Sequence, residues 1–206
     1  MEPIKSPEIT DSSQRKFTEK DFQKMPDDLI WKSFCKGNES TFNYIYKNYA
    51  SDLYAFGYQF CGDSHLVEDC IQNVFIYLRR KRSSLSDVKS IKSYLFRCIQ
   101  SEIIKRLKER GILVDMDHLQ YKKAFSISLS PETILIESES QERKKKMVNL
   151  ALDKLTVRQR QALILLYEEE MSYSEIAEVM GFSEVKSARK LVYRALASLK
   201  EVINPF

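Results

Sequence analysis

Basic residues are concentrated in two stretches of this chain, and the first of them also contains aromatic side chains. Residues 79–110 include eleven lysines and arginines against three acidic residues, together with Tyr94 and Phe96. Lysine and arginine bind phosphate groups, and aromatic rings stack on unpaired bases. Residues 186–200 include five basic residues and no acidic one. Two separate basic segments suit a long polyanion that is contacted at two places, which favours a nucleic acid as the partner.

Each basic stretch has a simpler alternative, which is an ordinary solvated helix face. For Tyr94 and Phe96 the alternative is a place in the hydrophobic core. The sequence leaves these alternatives open.

Catalytic and metal chemistry is poorly supported by the residue types. The four cysteines have no metal-ligand spacing and only two histidines accompany them, so we expect buried, reduced thiols. Glu68 and Asp69 are candidate metal ligands of a nuclease, but adjacent residues on a helix point about 100° apart. No histidine or further carboxylate set converges with them. The sequence therefore predicts neither an enzyme nor a cofactor.

The composition favours an all-helical fold. Five glycines and five prolines in 206 residues are fewer than sheet-rich or loop-rich folds need, and 43% hydrophobic residues suffice for a packed core. No stretch approaches the roughly 18 apolar residues that span a membrane. The first thirty residues carry charges where a signal peptide has its apolar segment. We therefore expect a cytoplasmic protein with no membrane insertion.

Apolar residues recur at helical spacing in the first half of the chain. Residues 1–26 are polar and lack this spacing, which predicts a mobile tail. Apolar residues recur every three or four positions in three stripes, which cover residues 42–60, 67–78 and 91–107. Ser90 is placed as the N-cap of the third. The pattern predicts a compact helical domain over residues 27–111.

The second half has the sequence form of a helix-turn-helix. Residues 112–130 lose the periodicity and are predicted to be a flexible linker, followed by a second helical domain over 131–203. Three features predict helix ends in this domain: the capping boxes Thr156 with Gln159 and Ser172 with Glu175, and the turn at Gly181. A short capped helix, a glycine turn and a longer basic helix are typical of DNA-binding domains.

Particular residues of both halves resemble bacterial sigma factors of the extracytoplasmic-function group. The stretch 66–75 resembles the acidic-x-x-Gln-x-x-Phe core of sigma region 2, and 93–97 resembles its promoter-reading helix. The segments 155–160 and 172–183 resemble region 4, which is the helix-turn-helix of this family. The resemblance extends from Asp27 to about Ile203, and the final helix around residues 187–195 looks most like that of Bacteroidetes members.

The resemblance implies a sigma factor that binds core RNA polymerase, directs it to promoters and helps to open the duplex. Its partners would be core RNA polymerase and promoter DNA, both as duplex and as displaced single strand, with an anti-sigma factor left open. A polar face opposite an apolar stripe suits docking on polymerase. The residues expected there are Glu68, Asp69, Gln72, Asn73 and Phe75.

The two basic segments would contact the two promoter elements. The residues expected at the downstream element are Arg82, Lys92, Tyr94, Arg97, Gln100, Ser101, Lys105 and Arg106. Those expected at the upstream element are Ser183, Glu184, Lys186, Ser187, Arg189, Lys190 and Arg194. Many relatives have Arg-Asn and then Asp where this chain has Gln100-Ser101 and Lys105, so the bases read there cannot be taken from the family.

The alternative function is a conventional helix-turn-helix repressor or activator that never becomes a polymerase subunit. It leaves the N-terminal domain without a function. Co-purification with core polymerase distinguishes the two hypotheses.

Overall fold

The computed structural model describes residues 19–22, 24–112 and 155–203, and all regular structure within these ranges is helical. The predicted all-helical fold class is confirmed. The N-terminal unit consists of α1 (Glu19–Phe22), α2 (Asp27–Cys35), α3 (Glu39–Cys61), α4 (Ser64–Lys81), a short 3-10 helix (Arg82–Ser84) and α5 (Ile91–Glu109). The C-terminal unit consists of α6 (Val157–Tyr167), α7 (Tyr173–Val179) and α8 (Val185–Ile203). None of the described helices is long and apolar enough to cross a bilayer.

Side-chain caps begin the helices that carry the predicted interfaces. The Asp63 carboxylate accepts a hydrogen bond from the Leu66 N–H at 3.0 Å, which starts α4 directly after α3 has ended. The Ser90 hydroxyl accepts from the Ser93 N–H at 3.2 Å, so the predicted cap of α5 is confirmed. Asp27 on α2 also accepts from the Ile91 N–H at 2.7 Å, which ties the start of α5 to the start of α2.

The core of the N-terminal unit lies where α3 crosses α4 and α5. Leu53 and Phe56 on α3 are buried, and the Phe56 ring lies 5.0 Å from the Phe96 ring of α5. In the apolar stripe of α5, Leu95, Ile99 and Ile103 are fully buried. This stripe is the one that the three-four spacing predicts.

The N-terminal end of the chain corrects one prediction. The sequence predicts a mobile tail over residues 1–26, but Glu19–Phe22 form a helix, and Phe22 is buried with its ring stacked on Tyr44 at 4.5 Å. Phe22 stands in a polar segment without helical periodicity, so only its distant partner reveals that it belongs to the core. Residues 1–18 of the predicted tail lie outside the described part of the chain.

The C-terminal unit has the expected helix-turn-helix. Both predicted capping boxes are formed. In each, the N-cap hydroxyl accepts from the backbone N–H three residues later, and the side chain of that later residue accepts from the backbone N–H of the N-cap residue. Gly181 follows α7 with φ of 68°, a left-handed conformation that favours glycine. Most of the predicted linker, 113–130, and the beginning of the predicted second domain, 131–154, lie outside the described residues.

The two units are in contact. Helix α5 packs on α7, and α3 packs on α6. The sequence predicts two domains joined by a linker and gives no sign of this packing, because the contacting residues are about 80 positions apart.

Candidate polymerase and nucleic-acid interfaces

Helix α4 presents an exposed polar face. Glu68, Asp69 and Gln72 are exposed and Asn73 is partly exposed, while Val67 on the opposite side is fully buried. This is the arrangement that the sequence predicts, because residues three and four apart share a helix face.

Phe75 does not lie on that face. It is only 4% exposed, and its ring packs edge-on against Phe42 and Tyr46 at centroid distances of 6.0 and 4.9 Å. Its position holds α4 against α3.

Two exposed apolar side chains on α4 were missed by the sequence reasoning. Ile76 is 53% exposed and Tyr77 is 54% exposed. Each lies one turn after a polar residue of the predicted docking face, Gln72 and Asn73 respectively. The signal for them was available, since neither fits the apolar stripe of α4.

A groove of about 500 Å³ separates the polar face of α4 from α5. Several residues predicted to contact the downstream element line it. They are Arg97, Ser101, Lys105 and Arg106, with Asn73 and Tyr77 on the opposite wall. Glu102 in the groove forms ion pairs with Arg106 at 3.0 Å and Lys105 at 3.8 Å, which offsets part of the positive charge.

Two residues predicted to contact the downstream element, Gln100 and Tyr94, are buried or partly buried. Gln100 is 6% exposed, so its side chain lies beneath the surface of α5. Tyr94 is partly buried, with its ring edge-on to Trp31 at 5.0 Å and the Arg97 guanidinium 5.7 Å from the ring centroid. Burial is the main cause that raises the pKa of the Tyr94 hydroxyl. Phe96 is fully buried against Phe56, so the core alternative holds for this residue.

Arg82, another predicted contact to the downstream element, belongs to an ion cluster within the N-terminal unit. Its guanidinium donates to the Glu39 carboxylate at 2.7 Å, and Arg79 donates to the same carboxylate at 2.9 Å. The hydrogen bond from Arg82 is the largest cause that lowers the pKa of Glu39. A Cβ on Gly37 would lie 3.3 Å from Arg82 Nη2, and the φ of this glycine is +95°. Glycine therefore lets the guanidinium lie against the backbone.

The first turns of α5 are in contact with acidic residues of the C-terminal unit. Lys92 Nζ lies 2.8 Å from Glu169 Oε2 and donates to the Glu169 carbonyl oxygen at 2.8 Å. Arg97 forms an ion pair with Glu178 at 3.5 Å. Burial raises the pKa of Glu169, and the hydrogen bond from Lys92 opposes that rise.

Helix α8 has a basic face opposite a buried stripe of small residues. Ala188, Val192 and Ala195 are fully buried against the rest of the C-terminal unit. The side chains predicted to contact the upstream element are exposed or partly exposed: Ser183, Glu184, Lys186, Ser187, Arg189, Lys190 and Arg194. The Arg189 guanidinium lies 5.2 Å from the centroid of the Tyr173 ring on α7, a cation–π contact that holds it beside the first helix of the helix-turn-helix. Tyr193 is also exposed beside this basic face.

Two family models match the chain in the order of these two units. Sigma-70 region 2 matches residues 45–111, and Sigma-70 region 4 matches residues 145–199. Among curated proteins, the chain is similar to the ECF RNA polymerase sigma factor SigM of Bacillus subtilis (strain 168), with 28% identity over 164 residues that cover 80% of this chain and 96% of SigM. SigX of the same organism is 25% identical over 170 residues, which cover 79% of this chain and 84% of SigX.

Two solved structures share the fold. CnrH in complex with the cytosolic domain of CnrY has a TM-score of 0.59 and 17% identity, covering 87% of this chain and 97% of CnrH. The sigma factor RpoE in complex with the anti-sigma factor NepR from Bartonella quintana has a TM-score of 0.54 and 24% identity, covering 79% of this chain and 96% of RpoE.

Proposed function

The chain belongs to the extracytoplasmic-function sigma factors of the sigma-70 family, and we propose that α4, α5 and α8 carry its three separate contacts. The protein directs RNA polymerase to promoters. In the proposal, α4 docks on core polymerase, α5 holds the displaced strand of the downstream element, and α8 enters the major groove of the upstream element. The observation that carries the proposal is the separation of an exposed polar face on α4 from basic faces on α5 and α8.

The docking role rests on the charge and exposure of α4. Asp69 and Gln72 are exposed and lie away from the buried stripe, so they do not contribute to the core. Carboxylates and amides on a helix face suit a basic surface on the polymerase. The exposed Ile76 and Tyr77 add apolar area at the end of the same face, where docking would bury it.

The decisive test is binding to core polymerase. Replacing Asp69 and Gln72 by Ala should abolish co-purification with core polymerase and leave the helicity in circular dichroism unchanged. The matched control is Asp28→Ala with Asn43→Ala, which removes one acid and one amide from exposed positions elsewhere in the same unit. Full polymerase binding by the Asp69 and Gln72 variant would refute the docking assignment, and absence of binding by the unaltered protein would favour the repressor hypothesis.

The strand-opening role rests on the aromatic and basic side chains of α5. Tyr94 is partly exposed with the Arg97 guanidinium 5.7 Å from its ring centroid, and Arg97, Lys105 and Arg106 line the adjacent groove. This combination suits an unpaired strand, since a base stacks on the ring while cations hold the phosphates. Permanganate reactivity of unpaired thymines in the complete polymerase complex tests the role. Its absence in a complex that is bound at a promoter would refute it.

Variants of Tyr94 separate stacking from packing. Tyr94→Ala should weaken single-strand binding by about 1 to 3 kcal/mol if a base stacks on the ring. It also removes the contact to Trp31, so stability is measured alongside. Tyr94→Phe keeps the ring in place and should bind the strand nearly as well as the unaltered protein.

The proposal also covers partners and location. The protein would act as a polymerase subunit with no reaction of its own, in the cytoplasm where core polymerase acts. The two solved structures hold CnrH with the cytosolic domain of CnrY and RpoE with the anti-sigma factor NepR, and an anti-sigma factor is the further partner we propose for this chain.

A further inference from the structure

The groove between α4 and α5 contains a carboxylate among its basic residues. The Glu102 side chain is only 18% exposed and lines the groove. Its Oε1 accepts from Arg106 Nε at 3.0 Å, and its Oε2 lies 3.8 Å from Lys105 Nζ. A phosphate group that entered this part of the groove would be repelled by the carboxylate and would compete with it for the same two cations. The groove is therefore not a simple phosphate-binding site.

The remaining lining of the groove suits a planar ring with polar edges. Tyr77 is 54% exposed on the wall formed by α4, and an exposed aromatic ring can stack on a base. Val74 and Cys98 add apolar side chains, while Asn73 and Ser101 add an amide and a hydroxyl that can each donate and accept. The volume of about 500 Å³ lies within the range of pockets that hold small organic ligands.

The hydrogen-bonding groups of the bases decide which of them a carboxylate tolerates. A carboxylate only accepts hydrogen bonds, so it pairs with the exocyclic amino group that cytosine, adenine and guanine carry. Thymine and uracil present carbonyl oxygens instead, and a carboxylate repels these. A carboxylate in the groove therefore favours bases with an amino group.

We propose that Glu102 is a specificity-determining residue of the strand-binding surface, and that the groove holds one unpaired base with an exocyclic amino group. Tyr77 stacks on this base, and Glu102 accepts from its amino group. Lys105, whose side chain is 61% exposed, contacts the adjoining phosphate. The proposal rests on the proposed function of α5, since the displaced strand brings the base to the groove.

Glu102 has two opposite effects on strand binding in this arrangement. It weakens binding to every strand, because its negative charge offsets the positive charges of Arg106 and Lys105. It strengthens binding to a strand that places an amino-bearing base in the groove. A residue with only a structural role would change the affinity for all strands by the same factor, so the two effects together identify base selection.

Fluorescence anisotropy of labelled oligonucleotides measures both effects with the full chain. The two probes are short thymidine tracts that carry either one central cytosine or one central uracil. These two bases are the same size, and cytosine has an amino group where uracil has a carbonyl oxygen. The unaltered protein should bind the cytosine probe about fivefold more tightly, which is the lower end of what one base contact contributes.

Substitution of Glu102 should separate the two effects. Glu102→Gln should bind both probes more tightly, by about twofold, because the two cations lose their charged partner. It should also lose the preference for cytosine, since an amide donates to a carbonyl oxygen as readily as it accepts from an amino group. The matched control is Glu109→Gln, which removes the same charge from an exposed partner of Arg106 on the same helix and should keep the preference.

Substitution of Tyr77 tests the stacking. Tyr77→Ala should weaken binding of both probes about fivefold or more, whereas Tyr77→Phe should bind as the unaltered protein does. Circular dichroism checks that all four variants keep their helicity. Equal affinities of Tyr77→Ala and the unaltered protein would overturn the stacking role.

The outcomes separate this proposal from the function on which it rests. Equal affinities of the unaltered protein for the two probes would overturn base selection in the groove and leave strand binding by α5 intact. A cytosine preference that survives in the Glu102→Gln variant would overturn the role of Glu102. Binding of neither probe would refute the strand-binding function of α5, and base selection would fall with it.

Discussion

Gly57 sets how closely α3 approaches α4 and α5, and Gly57→Ala should destabilise the protein. A Cβ at this position would lie 2.8 Å from Val67 Cγ1 and 3.1 Å from Ile103 Cδ1. Both neighbours are fully buried, so neither side chain can turn away into solvent. The substitution therefore changes the spacing of the two helices that carry the proposed polymerase and DNA contacts.

Two opposing terms give the magnitude. Alanine is favoured over glycine inside a helix by about 1 kcal/mol. Inserting a methyl group into a packed core costs about 1 to 3 kcal/mol, and a 2.8 Å approach is much closer than the roughly 3.5 to 4.0 Å of an optimal carbon contact. The cost therefore lies toward the upper end of its range, which leaves a net loss of about 1 to 2 kcal/mol.

Urea unfolding followed by far-UV circular dichroism measures this loss. Ala55→Gly is the matched control, because residue 55 is exposed on the same helix and reports the helix-propensity term alone. Val67→Ala makes room at the contact, so Gly57→Ala should become neutral or stabilising in that background. If Gly57→Ala stabilises the protein by the same amount with Val67 and with Ala at that position, the packing argument is refuted.

The other predictions concern the N-cap of α4, the proposed DNA contacts of α8 and a part-buried hydrogen bond of Trp31. Asp63→Asn keeps a capping oxygen for α4 but removes the charge. The hydrogen bond from the Leu66 N–H, followed by that from Arg110, lowers the pKa of the Asp63 carboxyl in the folded protein. The charged carboxylate should therefore stabilise the fold at pH values above the ordinary pKa of aspartate. That advantage should disappear as the pH falls through the lowered pKa, as urea midpoints of both proteins across acidic pH will show. Lys190→Ala should weaken binding to all promoters alike and reduce the slope of log affinity against log salt concentration by about one. Arg189→Ala should instead cost about 1 to 3 kcal/mol of binding free energy at one base pair only. Equal, sequence-independent losses for both variants in binding titrations would contradict direct base recognition by Arg189. Trp31→Phe removes the 2.9 Å hydrogen bond to the Ser86 carbonyl and should lower the free energy of unfolding by about 1 kcal/mol or more, while a urea midpoint equal to that of the unaltered protein would show that the bond contributes nothing.

The sequence by itself determined the helical fold class, several of the helix starts and the family. The Ser90 cap, the two capping boxes of the C-terminal unit and the stripe of α5 depend on residues three or four positions apart. Such local interactions can be recognised from spacing alone. The order of the region 2 and region 4 motifs is likewise a property of the chain.

Only the tertiary structure decided which side chains of the candidate interfaces are accessible. Phe75 and Gln100 lie beneath the surface and Ile76 lies on it, because each exposure depends on what packs against that helix from elsewhere in the chain. The same holds for Lys92 and Glu169, which are 77 positions apart and meet through the packing of two units. Contacts at that separation leave no periodic signal in the sequence. Helix caps and apolar stripes are satisfied however the two helical units are placed against each other, and only the total of their side-chain contacts selects one arrangement.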